Sequence, residues 1–228
     1  MRPIDAALET LAEIADNGGA IPSSWLEVVA THELNPEWSI ARQDLAVIIN
    51  ILRKLAPCKF LEIGAGLSTP VLYSYNPNGL NISLEDSHDW IIKVRESLPG
   101  GNGIILSYDN VSVENKHRQR TNWKAKIKKL AGYSEKELRV PYYMLQKRVL
   151  IPDWLWTIQF DVILIDGPLG EGPGRSGTSL LAAKLAHPTS VIFADDSVNR
   201  PYEMDKIIAF FPDRYIHSLA GGKLSILV

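Results

Sequence analysis

The chain reads as an α/β protein: a seven-stranded, mostly parallel sheet with helices on both faces and an antiparallel finish. Three observations lead there. Short apolar runs at 59–63, 81–85, 103–107, 160–165 and 190–194 are separated by segments of helical periodicity. Strands that alternate with helices form right-handed βαβ units and a parallel sheet. The chain then ends differently. "RYIHSLA", Gly221-Gly222 and "KLSILV" read as two strands joined by a tight turn, which is an antiparallel pair.

Composition sets the outer limits. In 228 residues, 46% are hydrophobic and 22% charged, enough apolar material for a full core. A net charge of −2 gives no electrostatic case for nucleic acid or membrane partners. The single cysteine, Cys58, excludes an internal disulfide and multi-cysteine metal sites, and its place just before a strand marks it as a small core residue. The N-terminus is amphipathic and interrupted by acids, unlike a signal peptide. No apolar run is long enough to span a bilayer. The expectation is a soluble, cytoplasmic protein.

Taken in order, Ile4, Leu8, Leu11 and Ile14 recur at helical spacing, and Asn17-Gly18-Gly19 stops that helix. Ser39 is placed to cap a second helix carrying Leu45, Ile48, Ile49, Leu52 and Leu55, which Pro57 ends. Residues 1–38 are thus expected as a helical extension and 39–228 as the main domain. Thr69-Pro70 starts a helix with proline in its first turn, and Ser87 caps "HDWIIKVRESL". The stretch between the third and fourth strands is too long for a plain connection, so 111–158 is expected to hold inserted helices, one of them opened by Ser134 and Glu137 at capping-box spacing. Lys116 to Lys129 is strongly basic and reads first as a solvated helix face, second as a lip attracting an anionic substrate.

The chemistry concentrates where strands end. "FLEIGAGLST" is a strand, a glycine-rich turn and a helix start, a unit that brings backbone close to a ligand. A dinucleotide site wants a third glycine where Thr69 stands, and Glu62 inside the turn would repel a pyrophosphate. S-adenosylmethionine has no pyrophosphate, and Glu62 could hold its ammonium group. Gly64, Gly66, Ser68 and Thr69 complete that expected contact. Glu85, 21 residues after Gly64 and at the end of the second run, suits ribose hydroxyls; its alternative role is a plain helix-start acid. Asp86 is its neighbouring candidate, though strand alternation points it away. Tyr108-Asp109-Asn110, after the third strand, could meet the adenine or form a plain solvent-facing turn.

Asp166 ends the fourth strand in "ILIDGP", and Asp195 and Asp196 end the fifth in "IFADDS". Three carboxylates in one volume raise one another's pKa unless a cation compensates. Either a divalent ion such as Mg²⁺ binds Asp166, Asp195 and Asp196, or one acid is a general base balanced by Arg175 or Arg200. A third reading has Asp195 and Asp196 capping the next helix, with Asp166 alone functional. The turn "GPLGEGPGR" sets Arg175 over the site, where a guanidinium suits a carboxylate on the acceptor. Trp154, Trp156, Tyr142 and Tyr143 either form a sugar-stacking wall or pack the insertion onto the core, the commoner role. His187 and His217 read as structural or surface residues.

"FLEIGAGLST", "ISLEDSHDW", "FDVILIDGP" and "VIFADDS", in this order, resemble the class I S-adenosylmethionine-dependent methyltransferases over roughly residues 40–228. That resemblance implies a Rossmann-like sheet with a reversed last strand, and methyl transfer. More narrowly, "DGPLGEGPGR", "LLAAKLA" and "VIFADDSVNRPYE" resemble the glucuronoxylan 4-O-methyltransferase-like family of polysaccharide biosynthesis. The glycine turn departs from that family toward the general methyltransferase pattern. The acids also resemble the metal site of catechol-type O-methyltransferases, with Asp196 standing where those have asparagine. The reading is therefore an S-adenosylmethionine-dependent methyltransferase acting on a hydroxyl of a small molecule or saccharide, with an anionic group on the acceptor. The alternatives are an NAD(P)-dependent oxidoreductase of Rossmann type and a non-catalytic nucleotide-binding protein.

Overall fold

A computed structural model describes residues 1–33, 40–85, 87–98, 103–107, 151–167, 175–196, 210–219 and 223–228. Its elements are α1 (Pro3–Asp16), α2 (Ser23–Ala30), α3 (Arg42–Leu55), β1 (Lys59–Ile63), α4 (Thr69–Ser74), β2 (Leu80–Glu85), α5 (His88–Ser97), β3 (Ile104–Ser107), a 3-10 turn (Asp153–Thr157), β4 (Phe160–Ile165), α6 (Arg175–Leu185), β5 (Ala186–Ala194), β6 (Ile216–Ser218) and β7 (Ser225–Leu227). One sheet holds all seven strands in the order β3-β2-β1-β4-β5-β7-β6. The pairs among β1 to β5 are parallel, while β7 runs antiparallel to both β5 and β6. The order reverses between β1 and β4, which opens a crevice at the carboxyl ends of those two strands.

Both faces of the sheet are covered, so the strands are apolar on both sides and read as continuous apolar runs. On one face Phe60, Val162, Leu164, Val191, Phe193 and Ile226 pack with α3, α4 and α5. On the other, Leu61, Ile63, Ile163, Ile165 and Ile192 pack with Leu181, Ala182 and Leu185 of α6 and with Leu155. Burying each such side chain contributes roughly 1.5–3 kcal/mol. Helix α3 is buried over most of its circumference because α1 and α2 lie on its outer side. Cys58 sits in this core, and burial pushes its thiol up to about 12, a poor nucleophile.

Several elements match the sequence pattern closely. Gly18 and Gly19 end α1 at φ 70° and 83°, and the Ser87 hydroxyl accepts the Trp90 N–H at 3.4 Å as the cap of α5. Others differ. Helix α3 begins after Ala41 with no side-chain cap, so Ser39 is not its cap residue. Helix α2 was not expected; its eight residues include two valines, and packing on α3 outweighs that weak local preference. Strand β5 starts four residues before the apolar run, because Arg214 binds the carbonyls of His187 (2.9 Å) and Ser190 (2.8 Å) and holds this polar entrance extended. Among the described residues, no helix is long and apolar enough to cross a membrane. Of the region 111–158 only 151–158 is described, so the proposed inserted helices and the basic run at 116–129 lie outside the described residues.

Candidate active site

The sheet's hydrogen bonding continues one step beyond β1, β4 and β5. Gly64 N–H donates to the Leu84 carbonyl (2.8 Å), Asp166 and Gly167 N–H both donate to that of Ile63 (2.8 and 2.7 Å), and Asp195 N–H donates to that of Ile165 (3.0 Å). This extension lines up Gly64, Asp166 and Asp195 across the carboxyl edge. By strand alternation they share the face of Glu62, Leu164 and Phe193, toward α3. Gly64 has φ 101°, and a Cβ there would lie 2.5 Å from the Gly167 nitrogen. The sequence assigns this glycine to ligand approach; the structure shows a second reason, the passage of the 166–167 backbone against it.

Glu62 departs from its expected role. It is fully buried, and its Oε2 accepts hydrogen bonds from Thr69 Oγ1 (2.7 Å) and Ser83 Oγ (2.6 Å). Since Ser83 spends its proton on Glu62, the Tyr73 hydroxyl at 2.5 Å donates to Ser83. Thr69 in turn accepts the Gly66 N–H at 2.9 Å. Burial pushes the Glu62 carboxyl up to about 7, against the two hydroxyl donors that favour its charge. Glu62 and Thr69 therefore brace the glycine turn from below. Ser68 is likewise buried, whereas Gly64, Gly66 and Leu67 keep surface at the edge. Glu85 ends β2 as expected, and its Oε1 accepts the Ser87 N–H (2.8 Å), the helix-start role weighed against ribose binding.

The acids at the β4 and β5 ends do not form one cluster. Asp195 is buried on the α3 face. Asp196 turns out of the strand at φ 53°, a left-handed conformation unusual for a non-glycine residue. Its Oδ1 lies 3.6 Å from Lys223 Nζ. Among the described residues, no three His, Cys, Asp or Glu side chains converge as metal ligands, so the expected ion site on Asp166, Asp195 and Asp196 is not assembled. Lys223 is a cation beside Asp196, while the side chains of Arg175 and Arg200, named from the sequence as balancing charges, lie outside the described residues.

A further acid joins this edge from the N-terminal side. Asp44, in the first turn of α3, is fully buried. Its Oδ2 accepts the Lys223 backbone N–H at 3.0 Å, across 179 residues of chain. Burial first, and then the Asp195 charge, push the Asp44 carboxyl above its ordinary range. The sequence offered one signal for it: an acid directly before the apolar stripe of a helix that leads into the glycine-turn strand.

Other candidates lie elsewhere. His187 is at the start of β5, at the amino edge, bonded to Asp161 Oδ1 at 3.2 Å. His217 is on β6. Trp154 and Trp156 precede β4 at that same amino edge, and Trp156 carries Lys184 Nζ 5.0 Å over its ring. They form no wall at the carboxyl edge. Arg175 begins α6, but its side chain, together with Asp86, Tyr108, Asp109, Tyr142, Tyr143 and Arg200, lies outside the described residues.

Comparison with known proteins matches residues 43–197 to the family described as IRX15/IRX15L/GXM. Arabinogalactan O-methyltransferase 2 of Arabidopsis thaliana is 26% identical over 203 residues, covering 82% of this chain and 65% of that protein. Glucuronoxylan 4-O-methyltransferase 2 of the same plant is 25% identical over 199 residues, covering 84% of this chain and 66% of that one. The chain thus spans just under two thirds of the length of these relatives. Among solved structures, a SAM-dependent methyltransferase from Thiobacillus denitrificans in complex with S-adenosyl-L-homocysteine overlaps 77% of this chain and 55% of that one, with 17% identity and a TM-score of 0.39.

Proposed function

Because the chain belongs to the IRX15/IRX15L/GXM family, we propose that it is an S-adenosylmethionine-dependent O-methyltransferase whose acceptor is a saccharide hydroxyl. The observation that carries this reading is the row Gly64–Asp166–Asp195 at the carboxyl edge, beside the switch point of the sheet. The names of the relatives, arabinogalactan and glucuronoxylan O-methyltransferases, support a polysaccharide acceptor.

The residues present fit the cofactor. Gly64, Gly66 and Leu67 keep surface at the edge, next to the end of β2 where Glu85 stands, and the adenosyl group is assigned there. When bound, S-adenosylmethionine supplies a methyl group already activated by its sulfonium. What remains for the protein is to align the acceptor oxygen and remove its proton. Asp166 and Asp195, adjacent at the edge, are the groups placed to take that proton. Asp196 turns out of this row toward Lys223, whose Nζ lies 3.6 Å from its Oδ1. A metal-free base is thus the version this arrangement favours. Thr69 closes under Gly66 where a dinucleotide turn wants a third glycine, so NAD(P) chemistry is the poorer fit.

Titration calorimetry with S-adenosylhomocysteine and with NAD tests the reading. Micromolar-range binding of the first and none of the second is expected; the reverse result would replace it with the oxidoreductase.

A further inference from the structure

The amino edge of the sheet, opposite the candidate active site, carries a patch that the proposed chemistry does not use. Trp154 and Trp156 stand in the 3-10 turn before β4, 44% and 37% exposed, on either side of Leu155, which is buried in the core on the α6 side. Tryptophans left this open mark a binding surface more often than an isolated exposed leucine does. Neither indole N–H has a hydrogen-bond partner among the described residues. Lys184 Nζ lies 5.0 Å over the Trp156 ring, and burial pushes that ammonium below its ordinary range with no carboxylate opposing the shift. The Asp153 carboxylate, in the same turn, is exposed. Flat apolar faces with donors at their rims and an acceptor beside them match a pyranose ring, whose C–H face is apolar and whose rim carries hydroxyls. Apolar side chains of a protein partner would instead cover the ammonium and both indole N–H groups without supplying acceptors, a costly arrangement. Within the patch the ammonium and the Asp153 carboxylate offset one another, which suits an uncharged ring.

We propose that Trp154, Trp156 and Lys184 form a second, non-catalytic saccharide site, which holds an uncharged stretch of a polymer while another stretch is methylated at the carboxyl edge. The site takes its place from the exposed indoles and rests on the saccharide reading of the carboxyl edge for its polymer. Helix α6 joins the two regions. Near its start the Thr178 hydroxyl donates to the Gly167 carbonyl (3.0 Å) at the β4 carboxyl end, and near its other end Lys184 reaches Trp156. Its 11 residues cover about 16 Å, a span that a chain of several sugar rings bridges. Holding one stretch raises the effective concentration of the next at the carboxyl edge. The gain therefore grows with chain length and vanishes for acceptors too short to reach both regions.

The test is calorimetry on the full chain, with and without S-adenosylhomocysteine, using two uncharged pyranose chains, xylohexaose and galactohexaose. The wild type should bind at least one of them. Trp154→Ala and Trp156→Ala should each weaken that binding about three- to tenfold, the worth of one aromatic contact. Trp154→Phe keeps an aromatic face and should retain most of the affinity, which a merely structural role would not require. Lys184→Ala should cost about threefold, roughly one hydrogen bond. Affinity for S-adenosylhomocysteine and the melting temperature should stay close to wild type throughout, because both indoles stand at the surface. If neither chain binds, or if both alanine variants bind like wild type, the proposal is overturned. Alanine variants that keep wild-type saccharide affinity but turn a dimer into a monomer in sedimentation also overturn it, and assign the indoles to a second copy of the chain. Tryptophan-dependent saccharide binding without S-adenosylhomocysteine binding would uphold the second site while the methyltransferase reading falls.

Discussion

The Glu62 carboxylate and the Thr69 hydroxyl lie 2.7 Å apart in a site closed to solvent, so β1 and the start of α4 are joined beneath the glycine turn. Thr69 passes the constraint on by accepting the Gly66 N–H, and Ser83 adds a second donor to Glu62 from β2. The turn's shape is thereby set by side chains before any ligand arrives. Preorganisation of this kind lowers the ordering cost of binding.

The pH dependence of stability follows from this burial. The Glu62 carboxyl holds its proton in the folded state to about 7, against 4.5 for the ordinary group. Between those values the folded state binds more protons than the unfolded one, so stability falls as pH rises through the window and is level above it. The separation corresponds to about 3 kcal/mol. Glu62→Gln keeps an oxygen for Thr69 and Ser83 but has no proton to lose. Its melting temperature should therefore gain on that of wild type as pH rises from 5 to 8. Parallel melting curves for the two proteins across that range would show that Glu62 is charged throughout.

At Gly64 the structure changes what a substitution should do. With Gly64 assigned to ligand approach alone, Gly64→Val would block the ligand in an otherwise intact fold. With φ at 101° and Gly167 backbone 2.5 Å from the would-be Cβ, valine must instead push β4's end away from β1. A loss of several kcal/mol is expected, of the order seen when strain is forced onto a buried backbone contact. Thermal unfolding measures it directly. A Gly64→Val protein with wild-type melting behaviour would contradict this packing.

Much of this was legible in the residues. Runs such as "FDVILI" place β4 to the residue because five of its six residues are apolar and buried and polar residues flank the run on both sides. The strand-end acids Asp166 and Asp195 were readable for the same reason: the apolar run stops and the first polar side chain stands at the edge. What escaped is long-range. Nothing local tells that Asp44 will meet the Lys223 backbone 179 residues later, or that Asp196 will turn away from Asp195. The bracing role of Glu62 is not visible locally because its donors Thr69 and Ser83 come from other elements. A carboxylate beside a glycine turn looks like a ligand contact until the hydroxyls that fill it are seen.

The three strand-end acids should separate kinetically. Asp166 and Asp195 share the edge row with Gly64, while Asp196 is turned toward Lys223. Asparagine preserves shape and removes the capacity to take a proton, so it isolates the chemical step from binding. Asp166→Asn and Asp195→Asn should leave S-adenosylhomocysteine affinity near wild type; the variant that removes the base should lower kcat by about 10²–10⁴, the usual worth of a positioned base. Asp196→Asn should cost less than either in kcat, because Asp196 is turned out of that row. Addition of a chelator should leave all rates unchanged, as the described acids do not converge on one ion. A chelator-sensitive rate, with Asp195→Asn and Asp196→Asn equally inactive, would restore the divalent-ion version and remove the division of labour between these neighbours.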